Sequence, residues 1–156
     1  MRLLALTTLI ILVADQLSKY LVVFHLRLHE RLVIEVLPPF LTFRMAWNEG
    51  INFGLFASTS GAMRWVLVAL ALAVSGGVLW WLRGRSHGAI VWISGGLLIG
   101  GALGNIIDRV LYGAVADFLN MSCCGIRNPF SFNIADIAIF VGAVGLVLFT
   151  SDDKTT

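Results

Sequence analysis

An α-helical membrane protein is the fold class this sequence predicts, with four transmembrane helices, a small extracytoplasmic β-sheet and an amphipathic surface helix. Three observations predict it. Hydrophobic residues make up 58% of the 156 positions, mean hydropathy is +0.90, and charged residues are 13%, roughly half the ~25% of soluble domains. Four apolar stretches are long enough to cross a hydrocarbon core of ~30 Å, which takes about 20 helical residues. The connection between the first two is long and rich in strand formers. Ten Phe and five Trp exclude a disordered chain. A net charge of +2 with scattered basic residues gives no footing for nucleic acid. The whole chain, 1–156, reads as one domain.

The first span runs from Leu3 to Phe24. Met1-Arg2 before an apolar run resembles the start of a secretory signal peptide. The run nevertheless continues to Phe24, contains Asp15 and Lys19, and has no small-residue cleavage site, so it reads as a retained membrane segment. The segment from His25 to Arg64 follows, with Pro38-Pro39 as punctuation and Phe40 to Trp47 rich in strand formers. It predicts a small sheet on the membrane surface, then an amphipathic helix from Phe53 to Met63. His25 and His29 are four residues apart but sit among Arg and Glu, a solvated face rather than a metal site.

The second span, Trp65 to Leu82, and the third, Gly88 to Ile107, flank the Arg-dense turn Arg83 to His87; the fourth is Phe132 to Thr150. An even number of spans places both termini on one side. The basic turn marks that side as cytoplasmic, although Arg27, Arg31, Arg44 and Arg64 on the opposite face weaken the charge argument. In the third span Gly96, Gly100 and Gly104 recur every four residues, a stripe that lets a neighbouring helix approach closely. Cys123 and Cys124 are adjacent, badly placed to bridge each other and too few for a zinc site; no chemical role is expected of them.

Ionisable groups inside a membrane cost about 2.5 to 3.5 kcal/mol each on insertion scales, so each needs a partner, a watery cavity or a function. Three places stand out. Asp15 and Lys19 have the i, i+4 spacing with the acid N-terminal, which suits a neutralised structural pair or a group orienting substrate. Asn105 and Arg109 share a face at the outer end of the third span, with Asp108 beside them; an ion pair capping the helix is one reading, and Asn105, both donor and acceptor, also suits holding a peptide or orienting an acid, with Arg109 and Asn105 expected to hold the segment that carries Asp117. The third place is the pair Asp117 and Asp136. The short connection between the last two spans brings both to one membrane surface, and Asn133 lies on the face of Asp136. Two carboxyl groups in contact share a proton, the aspartic-protease arrangement. A proton relay or structural acids are the alternatives at this point. No GxSxG elbow, HExxH helix or P-loop is present.

Taken in order, five blocks resemble the bacterial lipoprotein signal peptidases, or signal peptidase II, over nearly the whole chain. They are Asp15-Gln16-Leu17-Ser18-Lys19, Asn48 to Gly54, Gly101 to Arg109, Gly113 to Phe118, and Phe132 to Asp136. The resemblance implies both termini in the cytoplasm and an active site at the extracytoplasmic face of the cytoplasmic (inner) membrane. It implies an aspartic endopeptidase that removes the signal peptide from diacylglyceryl-modified prolipoproteins just before the lipidated cysteine, in contact with membrane lipids. Inhibition by globomycin-type cyclic peptides is implied as well, and no metal or cofactor. Carried over residue by residue, Asp117 and Asp136 are catalytic. Asn48, Gly50, Asn105, Arg109 and Asn133 shape the substrate site, and Asp15, Lys19 and Asp108 support it. Ile51, Asn52 and Ala116 depart from the family pattern, which bears on substrate fit. Two other functions compete: a proton-coupled carrier using Asp136 and Asp15, for which short unbroken spans leave little room, and a non-catalytic assembly protein using the glycine stripe.

Overall fold

The computed structural model describes residues 1–50, 61–84, 87–123, 125 and 128–150. Helix α1 (Arg2–Lys19) runs without a break into a π-helical turn, Tyr20–His25. A single helical turn, α2 (Leu28–Arg31), leads into strands β1 (Val33–Leu37) and β2 (Leu41–Asn48). Helices α3 (Ala62–Arg83) and α4 (Ala89–Tyr112), strand β3 (Val115–Met121) and helix α5 (Ile134–Phe149) are the remaining elements among the described residues.

Among the described residues, three helical stretches are long and apolar enough to cross a membrane: Arg2–His25, Ala62–Arg83 and Ala89–Tyr112. The apolar helix α5 has 16 residues. The bundle has its own core, in which Leu4 of α1, Leu82 of α3, Leu98 and Ile99 of α4 and Leu146 of α5 pack together. Large apolar side chains such as Leu9, Val13, Phe140 and Val147 point outward, as a lipid solvent allows and water would not.

Helix α4 is the central element because its glycines admit two neighbours. A Cβ on Gly96 or Gly100 would meet the backbone of α1 at Leu4 and Thr8, and one on Gly104 would meet the Asp15 carboxylate. The predicted stripe therefore packs against α1, residue for residue along both helices. On an adjoining face, Gly101 lies against Ala135 and Ile139 of α5, and Gly142 of α5 lies against Ser94 and Leu98 of α4.

The three strands form an antiparallel sheet in the order β1-β2-β3. Val33 pairs with Arg44 and Leu37 with Leu41 around a turn at Pro38-Pro39. Leu41 pairs with Met121, Ala46 with Asp117 and Asn48 with Val115, and the register shifts between Phe43 and Ala46. That irregularity lies beside Asp117, where a bulge re-aims side chains. A second apolar cluster, Val22, Val23, Leu28, Ala116 and Phe118, anchors the sheet to the end of the first helix.

One expectation is corrected, and another falls mostly outside the described residues. The third span does not end near Ile107 but continues to Tyr112, which places Asn105, Asp108 and Arg109 inside α4. Ionic partners on α1 let Asp108 stay in the helix, and Gly113 ends it with φ +83°, a left-handed cap that favours glycine. The expected surface helix from Phe53 to Met63 lies mostly outside the described residues; its last two positions, Ala62 and Met63, begin α3.

Candidate active site

Asp117 and Asp136 arrive at one place by different local routes. Asp117 lies in β3, buried beneath the sheet, with only 3% of its surface exposed. Asp136 is the third residue of α5, where Asn133 caps the helix: the Asn133 side chain accepts from the Asp136 backbone N–H at 2.9 Å, and the Asp136 carboxylate accepts from the Asn133 N–H at 3.3 Å. This reciprocal capping box satisfies two otherwise orphaned donors. It also fixes the rotamer of Asp136.

Asn133 then links the two acids. Its Nδ2 donates to Asp117 Oδ1 at 2.6 Å and lies 3.3 Å from Asn105 Oδ1. Asn105 Nδ2 in turn donates to Asp136 Oδ1 at 2.9 Å. From the sheet side, Asn48 Nδ2 donates to Asp117 Oδ2 at 3.1 Å, and its own Oδ1 accepts the Gly50 N–H at 3.0 Å. Gly50 has φ +121°, a conformation other residues rarely adopt, so glycine is what allows the chain to turn back onto Asn48.

Burial pushes the Asp117 carboxyl group up, the nearby charge of Asp136 pushes it further, and the amides of Asn48 and Asn133 only partly oppose them; the result is about 7. Near neutral pH the group therefore exchanges a proton readily, which a general acid requires. Asp136, like Asp117, accepts only from donors, the Asn133 N–H and the Asn105 amide.

The remaining residues expected from the sequence lie around this pair. Lys19 Nζ sits 2.7 Å from Asp15 and 2.8 Å from Asp108, and 3.5 Å from Asn105 Oδ1. Arg109 donates to the Asn105 carbonyl at 3.4 Å, while its buried Nε has no hydrogen-bond partner among the described residues. Of the two residues expected to hold the Asp117 segment, Asn105 reaches Asp117 through Asn133, and Arg109 makes no hydrogen bond to the segment among the described residues. Asp108 holds it, accepting the Ala116 N–H at 3.1 Å, because β3 leaves the end of α4 on the Asp108 side.

One residue was missed. Gln16 donates from Nε2 to Asp15, to Asp108 at 3.0 Å and to the Gly104 carbonyl; the only signal was its place between Asp15 and Lys19. His29 bonds the Val23 carbonyl through Nδ1 at 2.7 Å.

An apolar groove of about 410 Å³ opens beside the site between α3, α4 and α5. Leu67, Leu70 and Val74 form one wall, Ala102 and Leu98 the floor, and Ile139 and Ala143 the other wall, with Asn105 and Arg109 also lining it. A segment in this groove would be apolar along its length and would meet polar groups where it reaches them.

The fold and the site together define a multi-pass membrane protein carrying a buried, amide-linked carboxylate pair where a strand meets a helix N-terminus. Residues 7–151 match the family model of signal peptidase (SPase) II, and the chain belongs to that family. A lipoprotein signal peptidase of Methylorubrum extorquens is 46% identical over 72% of this chain and 64% of its own length; the match thus spans somewhat less than two thirds of that relative. A lipoprotein signal peptidase of Polynucleobacter necessarius is 38% identical over 88% of this chain and 82% of its own. The backbone is similar to a solved bacterial membrane enzyme, with a TM-score of 0.79, 25% identity, and coverage of 97% of this chain and 89% of that one.

Proposed function

We propose that this chain is an aspartic endopeptidase that removes the signal peptide from diacylglyceryl-modified prolipoproteins, cleaving before the lipidated cysteine. The observation that carries the reading is the Asp117–Asp136 pair, bridged through Asn133 and Asn105, at the polar end of an apolar groove. The names of its relatives support it. A signal peptide is an apolar helix, and the groove between α3, α4 and α5 suits one. Arg109, whose buried Nε has no partner among the described residues, would meet a carbonyl or ester oxygen of the incoming lipopeptide.

In this mechanism Asp136 takes a proton from a water molecule as the water attacks the scissile carbonyl carbon. Asp117, poised at about 7, gives its proton to the carbonyl oxygen. On collapse of the gem-diol, Asp136 gives its proton to the departing amine as the C–N bond breaks, and the Asp117 carboxylate takes the hydroxyl proton as the new carboxylic acid forms, so the pair again holds one proton. The chain's own residues supply all of the proton transfers.

The fold is read as a single domain in the cytoplasmic membrane, with both termini in the cytoplasm and the sheet and acids at the extracytoplasmic face. Helix α5, about 24 Å long at 1.5 Å per residue, then serves as a fourth crossing; its capped, polar start lies level with the sheet. Membrane lipids would surround the bundle, and globomycin-type cyclic peptides would occupy the groove in competition with substrate.

The test is purified protein with a synthetic pro-lipoprotein peptide, presented with and without the diacylglyceryl group. Two fragments from the lipidated peptide alone are the expected result. An intact lipidated peptide under conditions where the protein is folded would exclude the reading.

A further inference from the structure

Three ionisable side chains that the proposed chemistry does not use are buried together. Lys19 is 5% exposed, Asp15 0% and Asp108 1%. Such a cluster is a poor device for stability alone, since well-packed apolar residues of similar volume commonly hold a fold as well or better. Its outward connections suggest another use.

Asp15 Oδ1 accepts the backbone N–H of Ala135 at 3.0 Å, and Asp108 Oδ2 accepts that of Ala116 at 3.1 Å. Ala135 immediately precedes Asp136, and Ala116 immediately precedes Asp117. One cation from α1 therefore gathers two carboxylates, and each grips the chain one residue before a member of the acid pair. A third tie runs through Asn105, whose Oδ1 faces Lys19 while its Nδ2 donates to Asp136. Backbone bonds between Leu119 and Phe132 also tie β3 to the approach to α5, but they fall two residues after Asp117 and four before Asp136, whereas the Lys19 cluster reaches the residue before each acid.

We propose that Lys19 is the positioning residue of the acid pair: by holding Asp15 and Asp108 together it fixes the backbone before Asp136 and Asp117, and so sets the separation of the two carboxyl groups. This rests on the peptidase reading only for its catalytic consequence. The clamp itself is a statement about two amides.

The discriminating comparison is Asp108→Asn against Asp108→Ala, which remove the same charge. Asparagine keeps an oxygen for Lys19 and the Ala116 N–H, and Gln16 can turn its amide to match; alanine keeps nothing. With lipidated peptide, kcat of Asp108→Ala is expected at least about tenfold below that of Asp108→Asn, with KM alike, since misplacement of reacting groups by a fraction of an ångström acts on kcat. Independently of activity, amide exchange at Ala116 and Ala135 in the folded Lys19→Met protein is expected to quicken at least about tenfold, while Leu119, bonded to the Phe132 carbonyl, keeps its wild-type rate. Wild-type protein that cleaves nothing would end the peptidase reading and leave the exchange measurement to decide the clamp. Equal kcat in the two Asp108 variants, or exchange at Ala116 and Ala135 unchanged by Lys19→Met, would overturn it.

Discussion

Asp117→Asn separates what the acid pair does for chemistry from what it costs the fold. In the wild-type chain, burial first and the charge of Asp136 second raise the Asp117 carboxyl group from 3.8 to about 7. The unfolded chain gives up this proton near 3.8 and the folded chain keeps it to about 7, so between those values the folded state binds more protons. Its stability must then fall as pH rises through that window. At about 1.4 kcal/mol per pH unit the loss complete by pH 8 is on the order of 4 kcal/mol. Asparagine has no proton to lose, and its stability lacks this slope. It also has one acceptor oxygen where Asp117 offers two, to Asn133 and Asn48; leaving one buried amide unpaired costs about 1 to 3 kcal/mol at every pH. The two curves should therefore cross: the variant is less stable than wild type at pH 4 and more stable at pH 8. Thermal unfolding of the two purified proteins from pH 4 to 8 measures it, at about 2–4 °C per kcal/mol for a chain of this size. Parallel curves over the whole range would refute the reasoning, because they would mean that Asp117 titrates alike in both states.

Gly142→Ala should destabilise by about 1–3 kcal/mol, since its Cβ would lie 2.6 Å from backbone atoms of Ser94 and Leu98; Gly76→Ala, with nothing within 4 Å, should stabilise by up to about 1 kcal/mol, and thermal unfolding reads both signs. Asn133→Ala removes the helix cap and the Asp117 contact together: about 1 kcal/mol of stability, but on the order of 100-fold in cleavage rate, and a drop in rate no larger than the loss of folded protein would count against its bridging role. For topology, a single cysteine at position 86 in a background with Cys123 and Cys124 replaced by serine should resist an impermeant reagent in intact cells; ready labelling would reverse the orientation.

Hydropathy made the helices legible, and the short link between Asp117 and Asp136 made their meeting legible, because few residues separate β3 from α5. Three features were out of reach. The extension of α4 through Asp108 depends on a cation supplied by α1 at Lys19, and local patterning cannot show that a charge in one helix is neutralised by another. The exchange of roles between Arg109 and Asp108 has the same origin: both are polar neighbours in sequence, and only the direction in which the chain leaves Gly113 decides which one faces the Ala116 N–H. The π-helical turn at Tyr20–His25 also left no sign, since its side chains satisfy an α-helical reading equally well. The glycine stripe, by contrast, was plain in sequence and packs against α1, because close approach leaves no other residue type at those positions.

The central claim is that Asp117 and Asp136 work as one unit on the scissile bond, and initial cleavage rates of lipidated peptide by Asp117→Asn, Asp136→Asn and the double variant test it most directly. Each single substitution is expected to reduce cleavage by about 10² to 10⁴-fold in folded protein, and the double variant to be little worse than either. More than about a tenth of wild-type cleavage retained by either single variant, well outside those factors, would contradict the account at that residue.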